Sequence, residues 1–301
     1  MTTKVLCIGD VMLDVITKIS VAPAQINFGS DTPASISSHG GGAAGNVAAW
    51  LSRTDACATI VGRVGNDAAG KIIITEFNAL GVRHNNLMVE NGQTGVVIVL
   101  VDVTGERTMF PDSGSSSELT LADLPDLNGF DAIYLSGYSP LNPNSLAGIK
   151  EMIAAIKAAG ATLYFDPASV GGMKSVAIAE VKSWLPHMDV IIMNEEEAIY
   201  LTDSPDLERA LDIALTWCDT AIIKLGANGA MGRTCGESTV YVHAIETKVV
   251  DTTGAGDSFA AGFIASFAKK ADLRAALVAG CELAAHCVAI VGARPRVGTS
   301  I

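Results

Sequence analysis

The sequence predicts an α/β fold of three layers, α/β/α, with a mainly parallel central sheet and a small β-sheet lid. Three observations predict it. From residue 132 onward short apolar strands alternate with helical stretches, the pattern of a parallel sheet covered on both faces. Polar and glycine-containing segments follow those strands, where ligands sit in such sheets. A long β-branched run at 94–103, turned by Thr104-Gly105 and continued over 106–110, is a hairpin that intrudes on the alternation. The 301 residues are therefore read as one domain, 1–301, with a lid of about 12–39 and 94–111 inserted in it.

Taken in order, residues 5–9 form a short apolar strand. Asp10 and Asp14 follow, and would share a face if the chain stays extended, since strand side chains repeat every two residues. Asp10 reads equally as a solvated strand edge. Asp14 is flanked by Leu13, Val15 and Ile16, and a carboxylate in apolar company needs a partner, a role that sugar hydroxyls would fill. Residues 20–38 are polar loop and weak strand. His39-Gly40-Gly41-Gly42-Ala43-Ala44-Gly45-Asn46 is a glycine-rich turn entering a helix; alone it is a weak signal, equally a loop beside a tightly packed helix. Asp67 reads as the N-cap of a helix over 68–80. Strands follow at 132–135, 162–165, 190–193 and 221–224, with a helix over about 144–159. Asp14, Asp166, Asn194, Glu197, Lys224 and Asp257 all fall at strand ends, and that shared placement weighs more than any one motif.

The most informative stretch is Asp251-Thr252-Thr253-Gly254-Ala255-Gly256-Asp257. It links a strand-like Val249-Val250 to a buried helix. A helix start leaves backbone N–H groups without partners, and the helix dipole adds positive charge there. Glycines let an anion approach closely. A carboxylate beside an anion site is what phosphoryl transfer to a hydroxyl requires. Asn194 and Glu197, three apart, read either as an N-cap with acidic first-turn residues or as a Mg²⁺ site acting mostly through water. Lys224 would be useful near phosphates. Arg107 reads as a lid-surface charge, or as a contact to an anionic substrate.

Composition bounds the partners. The formal net charge of −12 argues against nucleic acid, whose phosphates need a basic face. A mean hydropathy of +0.37 supplies a core. The longest aliphatic run, 96–101, is far short of a membrane span. No signal peptide is read, and six scattered cysteines without metal-ligand spacing read as reduced thiols of a cytoplasmic protein.

These motifs resemble the ribokinase/PfkB family of sugar and nucleoside kinases. Gly41-Gly42-Ala43-Ala44-Gly45-Asn46 is similar to its N-terminal GGxxxN signature, and Asp251 to Asp257 to its DTxGAGD signature. Asn194-Glu195-Glu196-Glu197 matches NxxE, and Lys224 to Gly229 a strand-to-glycine turn. The resemblance implies a ribokinase-like fold and ATP-dependent phosphorylation of a sugar-type alcohol. It implies Asp257 as base, with Gly254, Ala255 and Gly256 forming an anion hole. Asp14, Gly41, Gly42 and Asn46 would hold the sugar; Asn194, Lys224, Gly226, Gly229 and Gly256 the nucleotide. Glu197 would organise Mg²⁺ through water. Asp251, Thr253 and Gly292 would hold a monovalent cation such as K⁺. Lid-to-lid homodimers are common among such relatives.

Three departures separate the chain from ribokinases proper: Ala43 where a lysine is usual, Met12 where an asparagine is usual, and Tyr138 where a glutamate is usual. They leave ribose unsupported as the acceptor. Gly105-Glu106-Arg107-Thr108 looks more like fructokinase-type or keto-deoxy-gluconate kinase-type members, and residues 9–14 like heptose-phosphate kinases. The choice stays open. A nucleoside kinase is the alternative in the same family, with Phe110 as the nearby aromatic for stacking. A catalytically idle sugar-binding relative is another, against which an intact Asp257 argues. A dinucleotide-binding dehydrogenase ranks last, because no GxGxxG follows Gly9.

Overall fold

The computed structural model describes residues 2–85 and 87–298. A central eight-stranded sheet includes the apolar runs expected at 5–9, 132–135, 162–165, 190–193 and 221–224. Its order is Val240–Val242, Ala230–Thr234, Thr220–Lys224, Val190–Asn194, Leu163–Asp166, Ala132–Ser136, Lys4–Ile8 and Cys57–Val61. The strands from Thr220–Lys224 to Cys57–Val61 run parallel, and the other two add an antiparallel edge.

The two-residue period of each strand sorts its side chains into two cores. Val5 and Cys7 enter one, with the helices Ala43–Leu51, Ala255–Lys270 and Leu273–Val288. Leu6 and Ile8 enter the other, with Leu146–Ala158, Ile178–Trp184, Glu195–Thr202 and Leu207–Ala214. This burial on both faces is why the strands are apolar without alternation. Among the described residues, no helix is long and apolar enough to cross a membrane, and the six thiols are all free.

A separate four-stranded sheet has the order Ala34–Gly41, Met12–Ile19, Gly95–Val101, Arg107–Asp112. Its outer pairs are antiparallel and its central pair is parallel. The hairpin between its last two strands closes on Asp102, whose Oδ1 accepts hydrogen bonds from the Thr104 N–H and hydroxyl and from the Glu106 N–H. Asp67 caps the helix Ala68–Leu80, its Oδ1 accepting from Gly70 N–H at 2.8 Å. The same carboxylate accepts from the Thr94 N–H and hydroxyl, so the cap also pins the foot of the small sheet.

The chain does not stay extended from Asp10 to Asp14. The first strand ends at Ile8 and the next begins at Met12. Asp10 is buried, not a solvated edge. Its carboxylate accepts from Ser136 Oγ and Ala43 N–H, both at 2.6 Å, and its carbonyl accepts from Gly45 N–H at 3.2 Å. Asp10 therefore fixes the glycine-rich turn against the central sheet.

The C-terminal turn enters its helix through Gly254, which is left-handed at φ +79°. A Cβ there would lie 2.6 Å from the Ala293 carbonyl oxygen. Gly254→Ala is expected to cost about 1–3 kcal/mol of unfolding free energy, the usual size of such backbone strain. Gly160→Ala, at φ +70° with nothing nearby, should cost less. Denaturant unfolding of the two variants makes the comparison.

Candidate active site

The start of the helix Ala255–Lys270 forms the centre of the site. Among the described residues, the N–H groups of Gly254, Gly256 and Asp257 have no hydrogen-bond partner, while Ala255 N–H reaches the Thr252 carbonyl at 3.3 Å. Asp257 stands in the first turn of that helix, half-buried. Burial pushes its carboxyl up to about 7; Asp166 and Asp10 push the same way, while an Asn46 hydrogen bond and Lys224 oppose them.

Asn46 links this carboxylate to the opposite end of the chain. Its Nδ2 donates to Asp257 Oδ2 at 2.8 Å, and its Oδ1 accepts from Arg294 Nε at 3.1 Å. Asn46, read from sequence as a sugar contact, thus has both ends of its amide engaged within the protein and orients Asp257. Arg294 is a residue that sequence reasoning missed. It is 4% exposed, donates to Glu76 Oε2 at 2.8 Å and to the Gly41 carbonyl at 2.6 Å, and lies 4.6 Å from the Phe77 ring centroid. Burial pulls its guanidinium below the ordinary range, with Glu76 and Asp14 opposing. The available signal was an arginine set in Gly-Ala-Arg-Pro at the end of an apolar C-terminal region.

Asp14 lies inside the strand Met12–Ile19 and not at a strand end. Its carboxylate accepts no hydrogen bond among the described residues, and burial pushes it up to about 6, with Arg294 opposing. It faces a cavity of about 540 Å³ between the small sheet and the C-terminal turn, lined also by Ile16, Lys18, Val99, Arg107 and Asp251. A Cβ on Gly41 would collide with this carboxylate, so glycine there keeps Asp14 open to the cavity. Gly42 is the N-cap of the helix Ala43–Leu51. Phe110, the aromatic considered for base stacking, pairs with Ile98 and Val15 and so lies on the opposite sheet face from Asp14. It is removed from the candidate contacts.

On the other side of the helix start lies a second cavity of about 550 Å³, lined by Lys224, Gly226, Gly229, Gly256, Phe259 and small or apolar residues of the last helix. Lys224 Nζ would lie 3.2 Å from a Cβ on Gly256, which places the ammonium against the helix start. It pairs with Asp166 Oδ2 at 2.6 Å. Burial disfavours its charge, but Asp166, Glu197 and Asp257 outweigh this and hold its pKa above the ordinary value.

Asn194 and Glu197 form a capping box. Asn194 Oδ1 accepts from Glu197 N–H, and Glu197 accepts from both the Asn194 N–H and side-chain amide at 2.7–2.8 Å. Burial pushes Glu197 up to about 7. The capping reading is therefore realised. Among the described residues, no cluster of three metal-ligating side chains occurs. Such a donor set suits Mg²⁺ only as an ion held by phosphate and water, with Asp166 and Glu197 behind it.

The three residues expected at a monovalent cation are arranged differently. Asp251 Oδ1 takes Arg107 Nη2 at 2.7 Å and Thr253 N–H at 2.9 Å; Oδ2 takes Gly292 N–H at 3.0 Å. Thr253 Oγ1 accepts from Arg107 Nη1 at 2.7 Å. Gly292 thus turns its N–H to Asp251 Oδ2, and Asp251 Oδ1 and Thr253 Oγ1 face a guanidinium. A second cation at ~4 Å from it would be repelled by ~4 kcal/mol at an effective dielectric of ~20. These residues do not fit K⁺ while Arg107 is in place.

The turn into this helix lines both cavities, through Asp251 and Thr253 on one side and Thr252, Ala255 and Gly256 on the other, and the relatives of the chain are named as sugar kinases, phosphotransferases that use an alcohol group as acceptor. The chain belongs to the pfkB family of carbohydrate kinases, whose family profile matches residues 2–298. It is 31% identical over 300 residues to the ATP-dependent ribose-1-phosphate kinase of Halopiger xanaduensis, covering 97% of this chain and 92% of that one. Among solved structures, adenosine kinase from Sinorhizobium meliloti superposes with a TM-score of 0.86 at 26% identity, covering 100% and 97% of the two chains. A putative ribokinase II from E. coli in complex with ATP and Mg²⁺ superposes with a TM-score of 0.82 at 23% identity, covering 97% and 94%.

Arg294→Met removes the guanidinium but leaves Glu76, Asn46 and the Gly41 carbonyl behind. Loss of one partner of a buried, hydrogen-bonded charge typically costs about 3–5 kcal/mol. Chemical denaturation of the variant should show a loss of that size, and a loss near zero would mean the network contributes no stability.

Proposed function

We propose that this kinase transfers the terminal phosphoryl group of ATP to a sugar hydroxyl, with Asp257 as general base. The observation that carries the reading is that Asp257 stands at a helix start with unpartnered N–H groups, after a turn that lines both cavities. The acceptor would occupy the cavity under the small sheet, where Asp14 has carboxylate oxygens free for two hydroxyls. Gly41 keeps Asp14 open, the Gly42 backbone would add a sugar contact, and Asn46 holds Asp257. ATP would occupy the other cavity, against Gly226 and Gly229, with Lys224 and Gly256 at its phosphates and Asn194 shaping the acidic end through its bond to Glu197.

In the reaction the acceptor hydroxyl gives its proton to the Asp257 carboxylate as its oxygen bonds to the terminal phosphorus. The bond to the ADP oxygen breaks, and Asp257 later releases the proton to solvent. N–H groups of Gly254, Ala255 and Gly256 would stabilise the charge on the moving phosphoryl group, those of Gly254 and Gly256 most freely. Mg²⁺, when bound, would neutralise phosphate charge, with Glu197 organising it through water. A carboxyl poised at about 7 suits a base that must accept a proton and return it.

The test is ADP release from ATP across pentoses, hexoses, keto-deoxy acids, sugar phosphates and nucleosides. One or more should turn over, and Asp257→Asn should slow that reaction by about 10²–10⁴-fold while melting like the wild type. Because the base must be ionised, kcat/KM should rise with pH up to about 7 and level off above it. A profile flat through pH 7, or a fully active Asp257→Asn, removes Asp257 from this role.

The small sheet also carries an outward apolar face. Ile36, Ile98 and Phe110 are 65%, 47% and 56% exposed, on the side opposite Asp14 and Arg107 by register. Self-pairing of this face would bury it in a homodimer. Sedimentation should then give a dimer that Ile98→Glu converts to monomer; a monomeric wild type at micromolar concentration excludes the pairing.

A further inference from the structure

Arg107 begins the outermost strand of the small sheet, yet its guanidinium leaves that sheet for the C-terminal turn. One nitrogen meets Asp251 and another meets Thr253, each at 2.7 Å, with Thr252 Oγ1 at 3.4 Å. Asp251 sits only a few residues before the N–H groups that would receive the phosphoryl charge. A bare carboxylate there would oppose the arrival of an anion, and its charge must be balanced. The Asp251 side chain is also fixed by the N–H groups of Thr253 and Gly292. A planar fork on this carboxylate therefore balances its charge and holds the shape of the turn together.

We propose that Arg107 takes the place of a monovalent cation at Asp251, so that phosphoryl transfer is independent of K⁺ and the small sheet supplies the balancing charge. This rests on the kinase reading above. It assigns Arg107 a positioning role that acts through the turn, in addition to its place in the wall of the acceptor cavity. It also ties catalysis to the seating of the small sheet, because withdrawing that sheet withdraws the charge.

The experiment compares the chlorides of K⁺, Na⁺ and N-methylglucamine at equal ionic strength, on wild type and Arg107→Ala. Wild-type kcat/KM is expected to be the same in all three. Arg107→Ala is expected to lose about tenfold to a hundredfold in N-methylglucamine, the size of one charge-assisted hydrogen bond, and to recover part of it in K⁺. In parallel, K⁺ should raise the melting temperature of Arg107→Ala and leave that of the wild type unchanged. Activation of the wild type by K⁺ overturns the proposal. So does full activity of Arg107→Ala without K⁺, or a variant that gains neither rate nor melting temperature from K⁺. The melting comparison needs no turnover, so it decides the proposal separately from the kinase reading: a protein that phosphorylates nothing fails the latter alone.

Discussion

The hydrogen bond from Asn46 to Asp257 holds two remote parts of the chain at one point, 211 residues apart in sequence. Asp257 is poorly solvated and surrounded by other carboxylates, so without a donor its ionised form would be still harder to reach. Asn46 supplies that donor, but an amide can rotate. Arg294 prevents this by holding Asn46 Oδ1, while its other nitrogens grip Gly41 and Glu76. The two glycine-rich turns and the segment carrying Arg294 are thereby one polar network inside apolar packing. Such networks hold geometry well when every member is satisfied and poorly when one is missing.

Charge at the site differs from charge over the whole protein. A chain of net −12 places Lys224, Arg107 and Arg294 at its centre. Each cation is matched to a carboxylate, Asp166, Asp251 or Glu76. Among the described residues, Asp14 and Asp257 have no cation in direct contact. Both are pushed up by burial, to about 6 and about 7. Local pairing thus separates carboxylates that anchor from those free to deal with hydroxyls and protons.

Much of this was legible in the sequence because it depends on local rules. Strands buried on both faces read as apolar runs, Asp67 was a cap by residue type, and the long hairpin stood out against the β/α alternation. The N-cap alternative for Asn194 and Glu197 was visible for the same reason. The position of Lys224 followed from where a strand ends, whereas Asp14 lies inside the strand Met12–Ile19 and Asp257 follows a turn with no strand directly before it. Contacts across the fold were not legible. Nothing local says that Asp10 would turn inward to Ser136, 126 residues on, or that Arg107 would reach Asp251. Arg294 was hidden because a buried arginine and an exposed one look alike in sequence. The inner and outer faces of the small sheet needed its register, which placed Phe110 outside.

The network that joins Asn46, Asp257 and Arg294 also bears on how the protein is made. Its members lie near both ends of the chain, and contacts of such sequence separation form late in folding. During synthesis the central strands and their covering helices can pack as they emerge. Asp257 stays unoriented until the segment carrying Arg294 has left the ribosome and docked against Gly41 and Glu76. A chain still lacking that segment would carry most of the fold with its carboxylate not yet held, so competence waits on the docking of Arg294.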